Sequence, residues 1–284
     1  MVRASGGEQF LCRARGRLKQ TGGSLLVGDR VIFQPAAGAA DKKCEGIIEA
    51  VLPRKNILHR PPAVNVDQMI LVTPLRDPAP DWQLAGRLLA LAEQQQMKAI
   101  LCLNKADLVT AAEQAETKRM LEAFPYPCIF TSALRGDGVQ DLIEHLGGYC
   151  SIFAGPSGAG KSSLLNAIHP DFSLKVGSVS DKIGRGRHTT RTAELLVLPS
   201  GGMVVDTPGF SRLEFVDLEP QHLAGLFPEM RPYSGRCAFR DCSHLSEPGC
   251  AVREAVSAGK INRMRFEHYQ AFFNELMNRR DQYR

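Results

Sequence analysis

The stretch 151–166 contains residue types at a spacing suited to holding phosphate groups. Glycine lets the backbone wrap closely around phosphate oxygens, and the N–H groups at the start of a helix favour anions. The apolar run 149–154 predicts a strand before this loop, and residues 163–168 predict a helix after it. We therefore predict a phosphate loop of the G-x-x-x-x-G-K-S type, followed directly by Ser163 and formed by Gly155, Pro156, Ser157, Gly158, Ala159, Gly160, Lys161 and Ser162.

Two side chains of this loop have expected chemical roles. Lys161 would reach the β- and γ-phosphates of a nucleotide, and the Ser162 hydroxyl would ligate Mg²⁺. A chance glycine-rich turn is the alternative, and the strand–loop–helix context argues against it.

A second motif, N-K-x-D, follows the apolar run 98–103. Guanine presents N1–H and an exocyclic amine as adjacent donors, and the carboxylate of Asp107 can accept from both. Asn104 would contact the acceptor side of the base and tie loops together, while the stem of Lys105 would cover the purine face. After the next predicted strand, 128–130, Ser132 and Ala133 belong to a T-S-A sequence whose backbone N–H would meet guanine O6. These residues predict guanine selection.

A third group lies downstream of the phosphate loop. Asp206 and Gly209 form D-x-x-G after a predicted strand, with Asp206 expected near Mg²⁺ and the Gly209 N–H near the γ-phosphate. The run 184–191 offers a threonine for Mg²⁺, and we favour Thr190 over Thr189. Phe210 stands where many GTPases carry a water-orienting glutamine, so His188 is the candidate to act on water, unless it is only a loop residue.

The carboxy-terminal region holds three cysteines and one histidine spaced C-x₄-C-x-H-x₅-C. Such a set suits a closed structural zinc site, and a disulfide or unligated surface residues are the alternatives. The ligands would be Cys237, Cys242, His244 and Cys250.

The remaining elements indicate how these groups are positioned. Alternating strands and helices through 63–215 predict a parallel α/β sheet, including strands at 68–72, 194–198 and 203–205 and helices at 81–96 and 137–146. The guanine motifs precede the phosphate loop, the reverse of the usual order, which indicates circular permutation.

Two smaller domains are expected to flank that domain. Short strands in 1–58 predict an all-β barrel of the oligonucleotide-binding type, with 53–62 as a linker. Residues 216–284 are expected to form a helical zinc-binding domain, with helices at 251–258 and 261–277. Along the second helix and in the residues that follow it we expect exposed arginines, namely Arg263, Arg265, Arg279 and Arg280.

Charge is concentrated at the two ends of the chain. Residues 1–60 hold 11 Lys/Arg against 5 Asp/Glu, and residues 252–284 hold 7 against 4, within a total of +5. Basic terminal segments on either side of a near-neutral middle region of the chain favour contact with a polyanion such as RNA. No apolar stretch reaches about 18 residues, so we expect neither a membrane span nor export, and the scattered cysteines fit a cytoplasmic protein.

Taken together, these motifs resemble the RsgA (YjeQ) family of circularly permuted GTPases that depend on the small ribosomal subunit. The resemblance covers nearly the whole chain. It implies a cytoplasmic, monomeric switch in late small-subunit maturation that binds 16S-type rRNA, hydrolyses GTP to GDP with Mg²⁺ when the subunit is present, and holds one zinc ion. The alternatives are an RNA-binding assembly factor in which GTP only stabilises the fold, and a kinase using the same phosphate loop; N-K-x-D together with D-x-x-G argues against the kinase.

Overall fold

The computed structural model describes residues 1–16, 24–35, 45–59, 62–172, 174, 194–206, 215 and 218–282. Within these ranges the amino-terminal part contains the strands β1 Val2–Arg3, β2 Gln9–Phe10, β3 Cys12–Ala14, β4 Val31–Pro35, β5 Gly46–Val51, β6 Ile57–His59 and β7 Pro62–Val64. A three-stranded sheet has β5 at its centre, parallel to β3 and antiparallel to β4, and two strand pairs accompany it.

The expected linker at 53–62 was wrong in part, because β6 and β7 pair with each other there. Pro62 is the first residue of β7, a position where a strand tolerates a missing N–H. This strand pair also joins the amino-terminal part to the next domain. The Val64 N–H donates to the Val27 carbonyl at 2.9 Å, and a side chain at Gly28 would place its Cβ 2.1 Å from the Val64 carbonyl oxygen.

A six-stranded sheet forms the centre of the molecule. Its strands are β8 Gln68–Pro74, β9 Lys98–Asn104, β10 Cys128–Phe130, β11 Cys150–Ala154, β12 Glu194–Val197 and β13 Met203–Asp206. They lie in the order β10-β9-β8-β11-β13-β12, and neighbouring strands are parallel except for β12, which runs antiparallel to β13. Every residue of β8 and of β11 is buried, as continuous apolar runs predict for the middle of a parallel sheet.

Helices cover both faces of this sheet. Helix α1, Trp82–Gln94, buries Leu88 and Leu89 against one face, and α3, Val139–Leu146, with α4, Lys161–Ile168, packs on the other. Helix α2, Ala111–Met120, is not among the predicted elements, because it buries no residue and has no apolar stripe.

The carboxy-terminal part is helical and packs on α1. It contains a 3₁₀ segment at Pro220–Leu226 followed by α5 Arg231–Ser234, α6 Ala251–Ser257 and α7 Arg263–Gln282. Ala90 and Leu91 of α1 belong to the same apolar cluster as Phe227 and Phe272. Among the described helices, none is both long and apolar enough to cross a membrane.

The prediction that Arg265 is exposed was wrong. Its side chain is 0% exposed and its Nε donates to the Glu229 carboxylate at 2.6 Å. The guanidinium also lies 4.5 Å from the ring centre of Phe227 and 5.6 Å from those of Phe124 and Tyr126. Arg265 therefore joins the carboxy-terminal helices to the segment that leads into β10, whereas Arg263 is exposed as expected.

Candidate functional site

The phosphate loop connects β11 to α4 at the carboxyl edge of the sheet, as the sequence predicts. Gly155, Gly158 and Gly160 all have positive φ, at 140°, 76° and 92°. A side chain at Gly155 would bring its Cβ to 2.1 Å from the Val72 carbonyl oxygen. Only glycine fits this contact without moving the backbone, and the loop consequently wraps tightly against β8.

Lys161 begins α4 beneath the loop. Its ammonium donates to the carbonyl oxygens of Gly155 and Pro156, each at 2.8 Å. Burial lowers the pKa of Lys161. A cation held at the centre of a loop of backbone N–H groups, at the start of a helix, is suited to binding the anionic oxygens of a phosphate chain.

The N-K-x-D motif follows β9 and contacts the phosphate loop directly. The Asn104 amide donates to the Ala159 carbonyl at 2.8 Å, and its own carbonyl oxygen accepts from the Thr131 hydroxyl at 3.1 Å. Asn104 is buried, and a Cβ at Gly160 would lie 2.3 Å from its amide nitrogen. Asn104 therefore joins the phosphate loop to the loop after β10, and its partner there is Thr131, the residue that opens the T-S-A sequence.

The carboxylate expected to read guanine lies in a short 3₁₀ turn, Ala106–Leu108. Asp107 accepts from the Ser132 hydroxyl at 2.6 Å, so the loops after β9 and β10 meet at this side chain. The Ser132 hydroxyl also accepts from the Arg135 N–H at 3.1 Å, and Ala133 is the next residue along. The three motifs are thus brought together at one edge of the sheet.

The structure describes only some of the residues that are expected to bind Mg²⁺ beside the phosphates. Strand β13 ends at Asp206 and runs parallel to β11, with Ile152 paired to Val205. Asp206 therefore reaches the same edge as the phosphate loop, where Ser162 and Ser163 occupy the first turn of α4. Thr189, Thr190, His188, Gly209 and Phe210 lie outside the described residues, and the roles assigned to them stay predictions.

The cysteines and histidine at 237–250 converge on one point. Their four ligand atoms all lie within 4.8 Å of one another. The His244 Nδ1 is 3.5 Å from the Cys237 sulfur and 3.4 Å from the Cys250 sulfur, and those two sulfurs are 3.9 Å apart. A tetrahedral zinc ion about 2.3 Å from sulfur and about 2.0 Å from nitrogen places its ligand atoms roughly 3.5–3.8 Å apart. The donor set and its spacing therefore fit zinc.

Hydrogen bonds hold the backbone around this cluster. The Glu247 carboxylate accepts from the Ser243 N–H at 2.6 Å and from the Ser246 N–H at 3.1 Å. Partial burial opposes ionisation of Glu247, but a hydrogen bond from the Ser243 hydroxyl, together with these backbone bonds, outweighs it and lowers the pKa of Glu247 to about 2. The Tyr269 hydroxyl of α7 donates to the Ser243 carbonyl at 2.8 Å. Burial raises the pKa of the Cys242 thiol to about 12, so binding a cation here would require displacement of thiol protons.

Known proteins with the same architecture were found by sequence and by structure. A protein of Moorella thermoacetica named small ribosomal subunit biogenesis GTPase RsgA is 46% identical over 275 residues, covering 97% of this chain and 93% of its own. The crystal structure of YjeQ from Thermotoga maritima aligns with a TM-score of 0.83 at 40% identity, covering 96% of this chain and 92% of that chain.

A further solved structure, of the circularly permuted GTPase YloQ, aligns with a TM-score of 0.78 at 37% identity and covers 94% of this chain and 86% of that one. The fold is thus a circularly permuted GTPase domain flanked by a β domain and a helical domain with a Cys₃His cluster. The family model described as RsgA GTPase matches residues 51–216, and this chain belongs to the RsgA GTPase family.

Proposed function

We propose that this protein is a GTP hydrolase of ribosome biogenesis whose activity is stimulated by the small ribosomal subunit. The observation that carries the proposal is the contact between the guanine motif and the phosphate loop, made by the Asn104 amide and the Ala159 carbonyl. Relatives along nearly the full chain are named small ribosomal subunit biogenesis GTPases. We propose that the activity belongs to late maturation of the subunit and takes place in the cytoplasm, with the protein acting as a monomer.

The guanine base would be selected by Asp107, which accepts from two adjacent donors that adenine does not offer together. Ser132, already bonded to Asp107 at 2.6 Å, would keep that carboxylate turned toward the base. Lys105 would cover the purine face, and the backbone at Ala133 would meet the guanine carbonyl. An adenine nucleotide would leave the Asp107 carboxylate unpaired, which disfavours its binding.

The phosphates would lie on the loop 155–162, with Lys161 against the β- and γ-phosphates. Mg²⁺, when bound, neutralises charge that develops on the phosphate oxygens. We propose that Ser162, Asp206 and Thr190 hold it and that Gly209 contacts the γ-phosphate. His188 would accept a hydrogen bond from the attacking water, since Phe210 has no polar atom to do so.

RNA contact is proposed for both ends of the chain. The basic segment within 1–58 would bind 16S-type rRNA through phosphate contacts, and the helical domain 216–284 would bind beside it. The zinc ion would have a structural role, because its four protein ligands leave no open coordination position. The GTPase domain, 63–215, would link these two surfaces.

The test is GTP turnover by the intact protein with and without purified small subunits. We expect at least about tenfold stimulation by small subunits and little by large subunits, since a switch that checks one particle must distinguish it from the other. RNA binding that is independent of nucleotide, with turnover unchanged by subunits, would instead indicate an assembly factor in which GTP only stabilises the fold. Transfer of labelled γ-phosphate to an acceptor would indicate a kinase.

A further inference from the structure

A short exposed segment, 75–81, connects β8 to α1 and lies beside both halves of the nucleotide site; we call it the strap. At its start the Leu75 N–H donates to the Asn104 carbonyl at 2.9 Å. At its end the Asp81 carboxylate accepts from the Leu84 N–H at 2.9 Å and caps α1. The strap is therefore fixed at both ends by the guanine motif and by a packed helix.

Between these ends the strap contacts the guanine motif and lies next to the phosphate loop. The Lys105 ammonium donates to the Asp77 carbonyl, and a Cβ at Gly158 would lie 3.4 Å from the Pro78 ring. Lys105 has a left-handed backbone, with φ 63°, and immediately precedes the turn that carries Asp107. Its contact with Asp77 fixes the direction of a side chain that would lie over the purine.

Arg76 holds the strap against the other side of the same turn. Its guanidinium donates to the Leu108 carbonyl at 2.8 Å and to a carboxylate oxygen of Glu113 at 2.7 Å. The second oxygen of Glu113 accepts from the Thr110 N–H at 2.7 Å at the start of α2. Lys105 and Leu108 flank Asp107 in the sequence, so the strap contacts the turn on both sides of the guanine-reading carboxylate.

We infer that Arg76 is a positioning residue for guanine recognition: it holds the strap and the 106–108 turn together so that Asp107 meets both donors of the base. The inference rests on the proposed function of the same site. In this role Arg76 acts through its bonds to Leu108 and Glu113 and not through a contact with the base. A planar guanidinium that bonds a carbonyl and a carboxylate at once fixes a geometry that lysine cannot reproduce.

The test compares GDP with IDP, whose base lacks the exocyclic amine, in the full chain with Mg²⁺. In Arg76→Ala we expect the dissociation constant for GDP to rise about five- to tenfold and that for IDP to rise less, because IDP never uses the second hydrogen bond to Asp107. The affinity ratio between the two nucleotides should thus fall severalfold. Arg76→Lys should behave like Arg76→Ala, and Glu113→Gln should show a smaller change of the same kind.

Arg119→Ala is the matched control, since it removes an exposed arginine from the same helix as Glu113. An unchanged GDP-to-IDP ratio in Arg76→Ala would overturn the inference, as would equal weakening of both nucleotides with a lower melting temperature, which indicates a structural role alone. Should Arg76→Ala fail to fold, the same ratio in Arg76→Lys and Glu113→Gln decides. A wild-type protein that does not prefer GDP to ADP contradicts the proposed function rather than the role of Arg76.

Discussion

The nucleotide site lies on the edge of a six-stranded sheet, whereas the Cys₃His cluster lies in a segment, 237–250, that contains neither helix nor strand. Around the nucleotide site, hydrogen bonds join neighbouring loops above a buried core. Thr131 donates to Asn104, and Ser132 donates to Asp107. At the cluster, the four ligand atoms lie within 4.8 Å of one another, and hydrogen bonds to Glu247 and from Tyr269 support the surrounding backbone. The first site is held by the fold, and the second is suited to being held by its metal.

This difference predicts how the two sites respond to loss of a single group. Removal of a nucleotide-site side chain should abolish binding while the sheet beneath remains folded. Removal of a metal ligand should unfold its own segment while nucleotide binding persists, because a structural zinc ion contributes folding energy directly.

The largest expected effect is at the cluster. Cys237→Ser should reduce bound zinc from about one ion per chain to near zero, since a structural site depends on all four ligands and contributes roughly 10 kcal/mol or more of binding energy. Metal analysis of the pure protein measures this, and hydrogen exchange should show lost protection at 237–250. Cys128→Ser, at an exposed cysteine outside the cluster, is the control. Full zinc content in Cys237→Ser would contradict the assignment.

The next largest effect is expected on stability, at the contact between the carboxy-terminal helices and the domain that carries the nucleotide site. Arg265→Ala leaves the Glu229 carboxylate buried without its partner, and breaking such a pair costs about 3–5 kcal/mol. Chemical denaturation measures the loss of stability. The matched control, Arg263→Ala, removes an exposed arginine two residues earlier in α7 and should cost less than about 0.5 kcal/mol. Equal losses of stability in the two variants would show that the burial of Arg265 does not determine its contribution to stability.

Lys161→Ala should separate binding from folding at the nucleotide site. We expect GTP affinity to fall at least about 100-fold, because the half-buried ammonium, which bonds the loop carbonyls, would be the cation that meets the phosphates. The unfolding midpoint in the absence of nucleotide should change little, and zinc content should stay the same. Lys118→Ala, on the exposed surface of α2, is the control. Unchanged GTP affinity would remove Lys161 from the site.

Asp107→Asn should change which base is bound while leaving the phosphates held. An amide at this position can donate to the extra oxygen of xanthine but can no longer accept from both donors of guanine, so the preference should reverse by about tenfold or more. Competition between GTP and XTP for the site measures this. Retained guanine preference would exclude Asp107 from base recognition. The assigned nucleotide site would then be reduced to the phosphate loop.

The sequence was most informative where chemistry depends on neighbours along the chain. The phosphate loop, the N-K-x-D turn and the cysteine spacing are each contained in a few residues, and the structure brings their parts together as predicted. Strand β10 was predicted with its observed ends, and β8, β9 and β11 to within about two residues, because buried parallel strands are continuous apolar runs.

Contacts between distant segments could not be predicted in this way. Arg265 looks like a solvent-exposed helix residue until Glu229 and three aromatic rings from elsewhere surround it. Likewise, the strand pair that begins at Ile57 lies in a stretch whose prolines favour a linker. Helix α2 has no buried residue, so its pattern carries no apolar periodicity. Each of these features depends on partners many residues away.

The central claim is that the carboxyl ends of β8, β9 and β11 form a guanine nucleotide site. Its most direct test is the dissociation constants of GDP and ADP for the intact protein with Mg²⁺. We expect GDP to bind at least about 100-fold more tightly than ADP, because adenine offers no pair of donors to the half-buried Asp107 carboxylate that Ser132 holds in place. Equal affinity for GDP and ADP, or no binding of either, would contradict it.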